Sequence, residues 1–411
     1  MEDKAIFSTF ETFRPLFDGL ARVAYYKIVM KPVSRMKYWA HFSYRFIVWT
    51  LVVMYNLQHV IRVIKSRHST EEVVNTLFVL LTTLNTLGKQ IAFNSRSRRI
   101  DRLITVINGP YFAPTNSYHV RVLKENAVTM SRLLLLYHIA IFICGTLWTI
   151  FPLVNRATSE NVEFTGYFPF DTTPSPVFEL ALAYMSFLIT FQAYGNVTMD
   201  CTIVAFYAQG KIQLHMLRHD LEHLVDVKDG FKEIDSKLHE ADNQYFTYVD
   251  IENVRFKQKI QERLVRCVKH YQQIVWFINE VESIFGEALV IQFAVMAWVI
   301  CMTMYKIVGL SLMSAEFISM AMYLGCMLAQ LFIYCYYGTQ LKFESEFVNQ
   351  SIFFGNWLAL SPEFRRQLLL MMMRYSRAIT PRIAYVIPMS LETYIQVLRS
   401  SYTLFTFLDR K

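Results

Sequence analysis

The spacing that comes nearest to a reaction centre is His215, His219, Asp220, Glu222 and His223. His219-Asp220-Leu221-Glu222-His223 fits the H-x-x-E-H pattern of a zinc peptidase, where imidazoles hold the metal and a glutamate acts as base. His215 extends the set to three imidazoles at helical spacing. No distal ligand is identifiable, and Leu214, Leu217, Leu221 and Leu224 run through the same segment as a helical apolar row. The expected reading is a solvated helix face, with no catalytic residue, no metal and no cofactor. There is no glycine-rich phosphate loop and no supported Ser/His/Asp triad.

A second set of polar residues lies near the end of the chain. Pro388 to Leu408 is about the length that crosses a bilayer, where ~20 residues of helix span ~30 Å. Glu392, Gln396, Arg399, Ser400, Thr403 and Thr406 interrupt it at steps of three and four, so a helix would gather them broadly on one side. Such a stripe belongs against a partner helix or against water. Two readings follow, a helix packed in a bundle and a helix lining a pore.

The elements that must position these residues are membrane helices. Of 411 residues 54% are hydrophobic and only 18% are charged, well below the ~25% charged of soluble domains. The net charge of +8 is spread between apolar runs, which reads as a topology signal and not as a nucleic-acid surface. Apolar runs predict spans near 42–61, 72–93, 130–153, 177–205, 284–306 and 313–336, with 388–408 as the seventh. No apolar signal segment is visible in residues 1–37, so the first span is expected to direct insertion. Phe7, Phe10, Phe13 and Phe17 suggest that part of this segment lies along the membrane surface. The six cysteines all fall in helical-looking segments, which argues against a disulfide framework.

Lys and Arg are rich after spans two, four and six and poor after three and five, which puts the N-terminus in the cytoplasm and the C-terminus outside. The loop after span one, with Arg62, Lys65 and Arg67, is an exception. Residues 1–37 are then a cytoplasmic segment, and 38–338 hold spans one to six with a cytoplasmic loop at 207–282. Residues 339–382 form two cytoplasmic helices around Trp357. The second restarts at Ser361-Pro362-Glu363 as cap, first turn and acidic start. Residues 383–411 are the seventh span and a short external tail. The sequons at Asn196 and Asn349 fall inside a span and in the cytoplasm, so neither is expected to carry glycan.

From about residue 36 to 408 the chain resembles the insect odorant receptor family. The resemblance rests on four stretches in order. They are Tyr167 to Pro176, Arg266-Cys267-Val268-Lys269-His270, Gln330 to Gly338 with Ser345 and Trp357 beyond it, and Pro388-Met389-Ser390-Leu391-Glu392-Thr393-Tyr394 through Leu398-Arg399-Ser400-Ser401-Tyr402-Thr403. It implies an all-α, seven-transmembrane-helix protein with a cytoplasmic anchor domain. The implied activity is that of an odorant-gated, non-selective cation channel in which four subunits surround one pore. Most members of the family work with a common co-receptor (Orco), which is longer between helices four and five. This chain lacks that length and looks like an odour-tuning subunit of an olfactory neuron's plasma membrane. Thr393-Tyr394 without a following Gln-Phe favours the odorant branch over the gustatory one.

The resemblance implies a mostly apolar pocket for a volatile organic ligand, in the outer halves of helices two, three, four and six. Those halves carry Phe78 and Leu81; Ile141, Gly145, Trp148 and Phe151; Tyr184, Met185 and Leu188; and Met320, Tyr323 and Leu324. It also implies that the seventh helix lines the pore, with Phe407 at an outer hydrophobic gate and Glu392, Gln396, Arg399, Ser400, Thr403 and Thr406 along the path. Four arginines at position 399 around one axis would repel cations, which points to a heteromer. The alternatives are a G-protein-coupled chemoreceptor of inverted topology and a gustatory-type ligand-gated channel. A transporter needs an internal repeat, and none is detectable. Asp-Arg-Tyr and Asn-Pro-x-x-Tyr motifs are absent from the spans where a G-protein-coupled receptor would carry them.

Overall fold

The computed structural model describes residues 8–28, 34–157, 164–224, 254–308, 315–355, 357 and 360–409. The helices among them are α1 (Arg14–Arg22), α2 (Arg35–Lys65), α3 (Thr70–Ser95), α4 (Ser97–Ile107), α5 (Ser117–Ala157), α6 (Val177–Glu222), α7 (Val254–Val308), α8 (Ala315–Phe354), α9 (Pro362–Tyr375) and α10 (Leu391–Asp409). A hairpin of β1 (Arg382–Ile383) and β2 (Ile387–Pro388) precedes α10.

Five of these helices, α2, α5, α6, α7 and α8, are long and apolar enough to cross a membrane by length and composition. The other two of the seven expected spans are α3 and α10. They have 26 and 19 residues, enough for ~28 Å or more at 1.5 Å per residue. Thr82, Thr83, Asn85, Thr86 and Lys89 dilute α3, and the polar stripe dilutes α10.

At the centre stands α6, which packs against α1, α2, α3, α5, α7 and α8. Residues 197–210 are buried without a break. A helix covered on every side has no solvent face to make polar, and Val197 to Gly210 is accordingly apolar apart from Thr198, Asp200, Thr202 and Gln209. As the leucine row predicts, α6 runs on well past residue 205.

Three expectations change. The aromatic residues of the N-terminal segment are covered by protein and not by a membrane surface. Phe13 and Phe17 are 0% and 2% exposed, and both rings meet Phe206 of α6, at 5.0 and 6.5 Å; Phe7 lies outside the described residues. The first of the two helices expected after residue 338 is a continuation of α8, which passes through Gly338 to Phe354. A single glycine weakens a helix by ~1 kcal/mol without ending it. Arginines 96 and 99, which follow α3, are also more than a topology signal. Arg99 pairs with Glu280 at 2.7 Å and Arg96 with Glu287 at 2.5 Å, tying α4 to α7. The polar stretch 226–252 lies outside the described residues.

Candidate functional site

Where α3, α5, α6 and α8 converge, small residues leave room. Ala140 and Gly145 of α5 and Ala193 of α6 face a common cavity. A side chain at position 145 would put its Cβ 2.5 Å from the Thr190 hydroxyl, so glycine is what lets α5 and α6 approach here. The empty space of the cavity, its open mouth included, is about 940 Å³. Each helix offers one face to it. Phe78, Thr82 and Thr86 come from α3, and Tyr137, Ile141, Cys144 and Trp148 from α5. Ile189, Gln192, Ala193 and Asn196 come from α6, and Tyr323, Cys326, Met327 and Gln330 from α8. These are the steps of three and four that keep side chains on one face of a helix.

Of the residues expected at a pocket, Phe78, Ile141, Gly145, Trp148 and Tyr323 line it. The Phe78 and Tyr323 rings lie 4.8 Å apart, and Trp148 and Tyr323 6.3 Å apart. Tyr184, Met185 and Leu188 do not line it. They pack with Tyr55 and Val299 in an apolar cluster joined by Phe164 and Phe168. Leu81, Met320 and Leu324 are half-buried off the cavity wall, and the Phe151 side chain lies outside the described ones. The cause is depth. On α3, α6 and α8 the cavity extends about one to two turns further toward the α5 N-terminal end than expected. The residues missed at that end are Thr83, Thr86, Tyr137, Gln192, Asn196 and Gln330. Their signal was present in the sequence as polar residues at helical spacing within apolar spans.

Just beyond this deep end sits a buried ion pair. Lys89 Nζ of α3 lies 2.6 Å from Asp200 Oδ1 of α6, with the two side chains 1% and 6% exposed. The Tyr334 hydroxyl donates to the same oxygen at 2.6 Å, and the Gln330 amide donates to Oδ2. Partnered this fully, the carboxylate can stay buried. The cluster fastens α3, α6 and α8 together at the cavity floor.

The polar stripe of α10 faces away from the bundle. Glu392, Gln396, Arg399, Ser400 and Thr403 are exposed, Thr406 is half-buried, and Thr393 and Ser401 are buried on the other side. The Ser401 hydroxyl donates to the Ala297 carbonyl of α7 at 3.3 Å. The Thr403 and Thr406 hydroxyls donate back to carbonyls of their own helix. The Phe407 side chain lies outside the described ones.

The foot of α10 explains several motif residues. A Cβ at Gly338 would fall 2.0 Å from the Met389 carbonyl oxygen, so only glycine lets that strand end rest on α8. The Leu391 N–H donates to the Thr339 hydroxyl at 2.9 Å, the Thr393 hydroxyl to the Pro388 carbonyl at 2.6 Å, and the Ile379 N–H to Ser345 at 2.8 Å.

The histidine stripe is a solvated face only at His223; His215, His219, Asp220 and Glu222 are half-buried. His219 stacks on Tyr118 at 4.1 Å and on His223 at 4.2 Å. Glu222 accepts from the Ser351 hydroxyl at 2.7 Å, and His215 Nε2 meets the Tyr118 hydroxyl at 2.8 Å. His119, buried on α5, lies 3.1 Å from Asp220. His119, His219 and Asp220 bring their ligand-type atoms within 4.8 Å of one another. The Thr115 N–H donates to His119 Nδ1, which leaves the neutral ring's proton on Nε2, facing Asp220. The stripe is helix-packing chemistry between α5, α6 and α8.

Helices long and apolar enough to cross a membrane, three of them lining the cavity, make a membrane bundle able to hold a small molecule. Residues 69–402 match the family described as 7tm odorant receptor. The chain is 21% identical to odorant receptor Or1 of Anopheles gambiae, over 82% of this chain and 81% of that one. It is 23% identical to odorant receptor 46a, isoform B, of Drosophila melanogaster, over 82% and 83%. Its fold is that of the insect olfactory receptor OR5 from Machilis hrabei in complex with eugenol, with a TM-score of 0.78 at 16% identity, covering 97% of this chain and 98% of that one. The chain belongs to the insect odorant receptor family. It is therefore a multi-pass membrane chemoreceptor and not an enzyme.

Proposed function

We propose that this chain is the odour-tuning subunit of a ligand-gated, non-selective cation channel in the plasma membrane of an olfactory neuron. Four subunits, some of them the Orco co-receptor, surround one pore. The chain crosses the bilayer seven times, by α2, α3, α5, α6, α7, α8 and α10, with its N-terminus in the cytoplasm and its C-terminus outside. Residues 339–382 with the inner parts of α6 to α8 form the anchor that holds subunits together. The cavity takes a small volatile ligand, as the Machilis receptor's structure takes eugenol.

The observation that carries this reading is the outward polar face of α10. Glu392 and Arg399 stand exposed on a helix of membrane-crossing length. Arg399 stands near the middle of α10, where a charge facing lipid costs at least ~2.5 kcal/mol, so this face must meet water or another subunit. A central pore supplies both.

The helix α8 is the connection between ligand and pore. It lines the cavity from Tyr323 to Gln330 and two turns later seats the foot of α10 through Gly338 and Thr339. A ligand that prefers one position of α8 thereby biases α10. Reversing the charge at Glu392 (Glu392→Lys) is expected to lower unitary cation current and shift the reversal potential under asymmetric salt. Unchanged conductance and selectivity would take Glu392, and with it this face, out of the conduction path.

A further inference from the structure

The two ends of the cavity differ in chemistry. At one end Phe78, Trp148 and Tyr323 meet ring to ring, with the Tyr323 hydroxyl as the one buried, unpartnered polar atom there among the described residues. At the other, Tyr137, Asn196 and Gln330 reach the wall, with Gln192 one turn before Asn196. His138 stacks on Tyr194 at 3.9 Å, which sets the α5 turn carrying Tyr137 beside the α6 turn carrying Gln192 and Asn196, and Gln330 of α8 bonds Asp200, one turn beyond Asn196.

The polar end is unsatisfied. Gln192 is 1% exposed, and neither its Nε2 nor its Oε1 has a partner among the described residues. The Tyr137 hydroxyl and the Asn196 Oδ1 are buried and unpartnered in the same way. The neighbouring threonines have no free donor, since Thr82, Thr83 and Thr86 donate to carbonyls of their own helix. Buried amides are costly to leave unpaired, so their place in a ligand cavity points to a partner that arrives with the ligand. They include donors (Gln192 Nε2, Tyr137 OH) and acceptors (Gln192 Oε1, Asn196 Oδ1). One group that both donates and accepts is a hydroxyl.

We infer that this cavity selects an amphiphile with one hydroxyl on an apolar body, an alcohol or a phenol, bound hydroxyl-first toward Gln192 and Asn196. The apolar body lies against Phe78, Trp148 and Tyr323. A carbonyl compound would satisfy the donors only, and a hydrocarbon neither. This inference rests on the reading of the cavity as the ligand site.

The test uses the full-length receptor in detergent and pairs of probes matched in size, para-cresol against para-xylene and octanol against nonane. Binding is read as the rise in melting temperature at equal mole fraction in the detergent phase. The hydroxyl member of each pair is expected to bind at least about tenfold more tightly, which is ~1.4 kcal/mol. Gln192→Leu and Asn196→Leu are each expected to bring that ratio close to one. Gln192→Leu, which removes two unpaired polar atoms, is expected to melt no lower than the wild type without probe. Equal binding within the pairs, or a ratio that both variants leave unchanged, overturns the hydroxyl selectivity. The cavity reading survives that result if Trp148→Ala weakens all probes. Absence of binding by any probe, or binding that Trp148→Ala leaves untouched, overturns the cavity reading and this inference with it.

Discussion

Lys89 and Asp200 are the residues on which the cavity floor depends. Neither ion is tolerable alone in a buried site, and their bond is reinforced by Gln330 and Tyr334. Breaking such a pair by removing one partner costs about 3–5 kcal/mol. Lys89→Met is therefore expected to lower the melting temperature in detergent and the yield of receptor at the cell surface. Adding Asp200→Leu is expected to recover part of the loss, because the orphaned charge is removed as well. An unchanged melting temperature in Lys89→Met would show that the pair does not hold the floor. At this scale the sequence was partly legible. Phe78, Ile141, Gly145, Trp148 and Tyr323 could be placed at a pocket. Its depth could not, because it follows from where Ala140, Gly145 and Ala193 of different helices meet. His119 shows the same limit, since its contact with Asp220 joins residues about a hundred positions apart.

Among the elements, α8 has the most to reconcile. It must stay helical through Gly338 and also let the Met389 carbonyl rest on it. Replacing glycine by alanine inside a helix ordinarily stabilises by ~1 kcal/mol. Here the new Cβ would lie 2.0 Å from a backbone oxygen, and overpacking of this kind costs about 1–3 kcal/mol. Gly338→Ala is thus expected to displace the foot of α10 and reduce odour-evoked current at equal surface expression. A wild-type current would contradict the proposed seat. Hydrophobic runs made α2, α5, α6, α7 and α8 legible as long helices. The N-terminal segment was misread for a physical reason. An amphipathic face states that Phe13 and Phe17 need cover, but not whether lipid or protein supplies it. The continuity of α8 was missed because its C-terminal half turns amphipathic without a helix breaker.

For the molecule as a whole, the proposed channel function asks one bundle to join ligand to pore. Its cavity lies among α3, α5, α6 and α8, its charged outward face is on α10, and α8 touches both. On the proposed channel reading the chain needs neighbours, because a lone chain would set Arg399, near the middle of α10, against lipid. The most direct test is whole-cell current from cells expressing this chain with an insect co-receptor, under G-protein block, during brief pulses of a panel of volatiles. A rapid cation current to some of them, absent from cells expressing the co-receptor alone, is the expected result. A response that vanishes under G-protein block, or no current from confirmed surface receptor to any volatile that binds it, would contradict the channel reading.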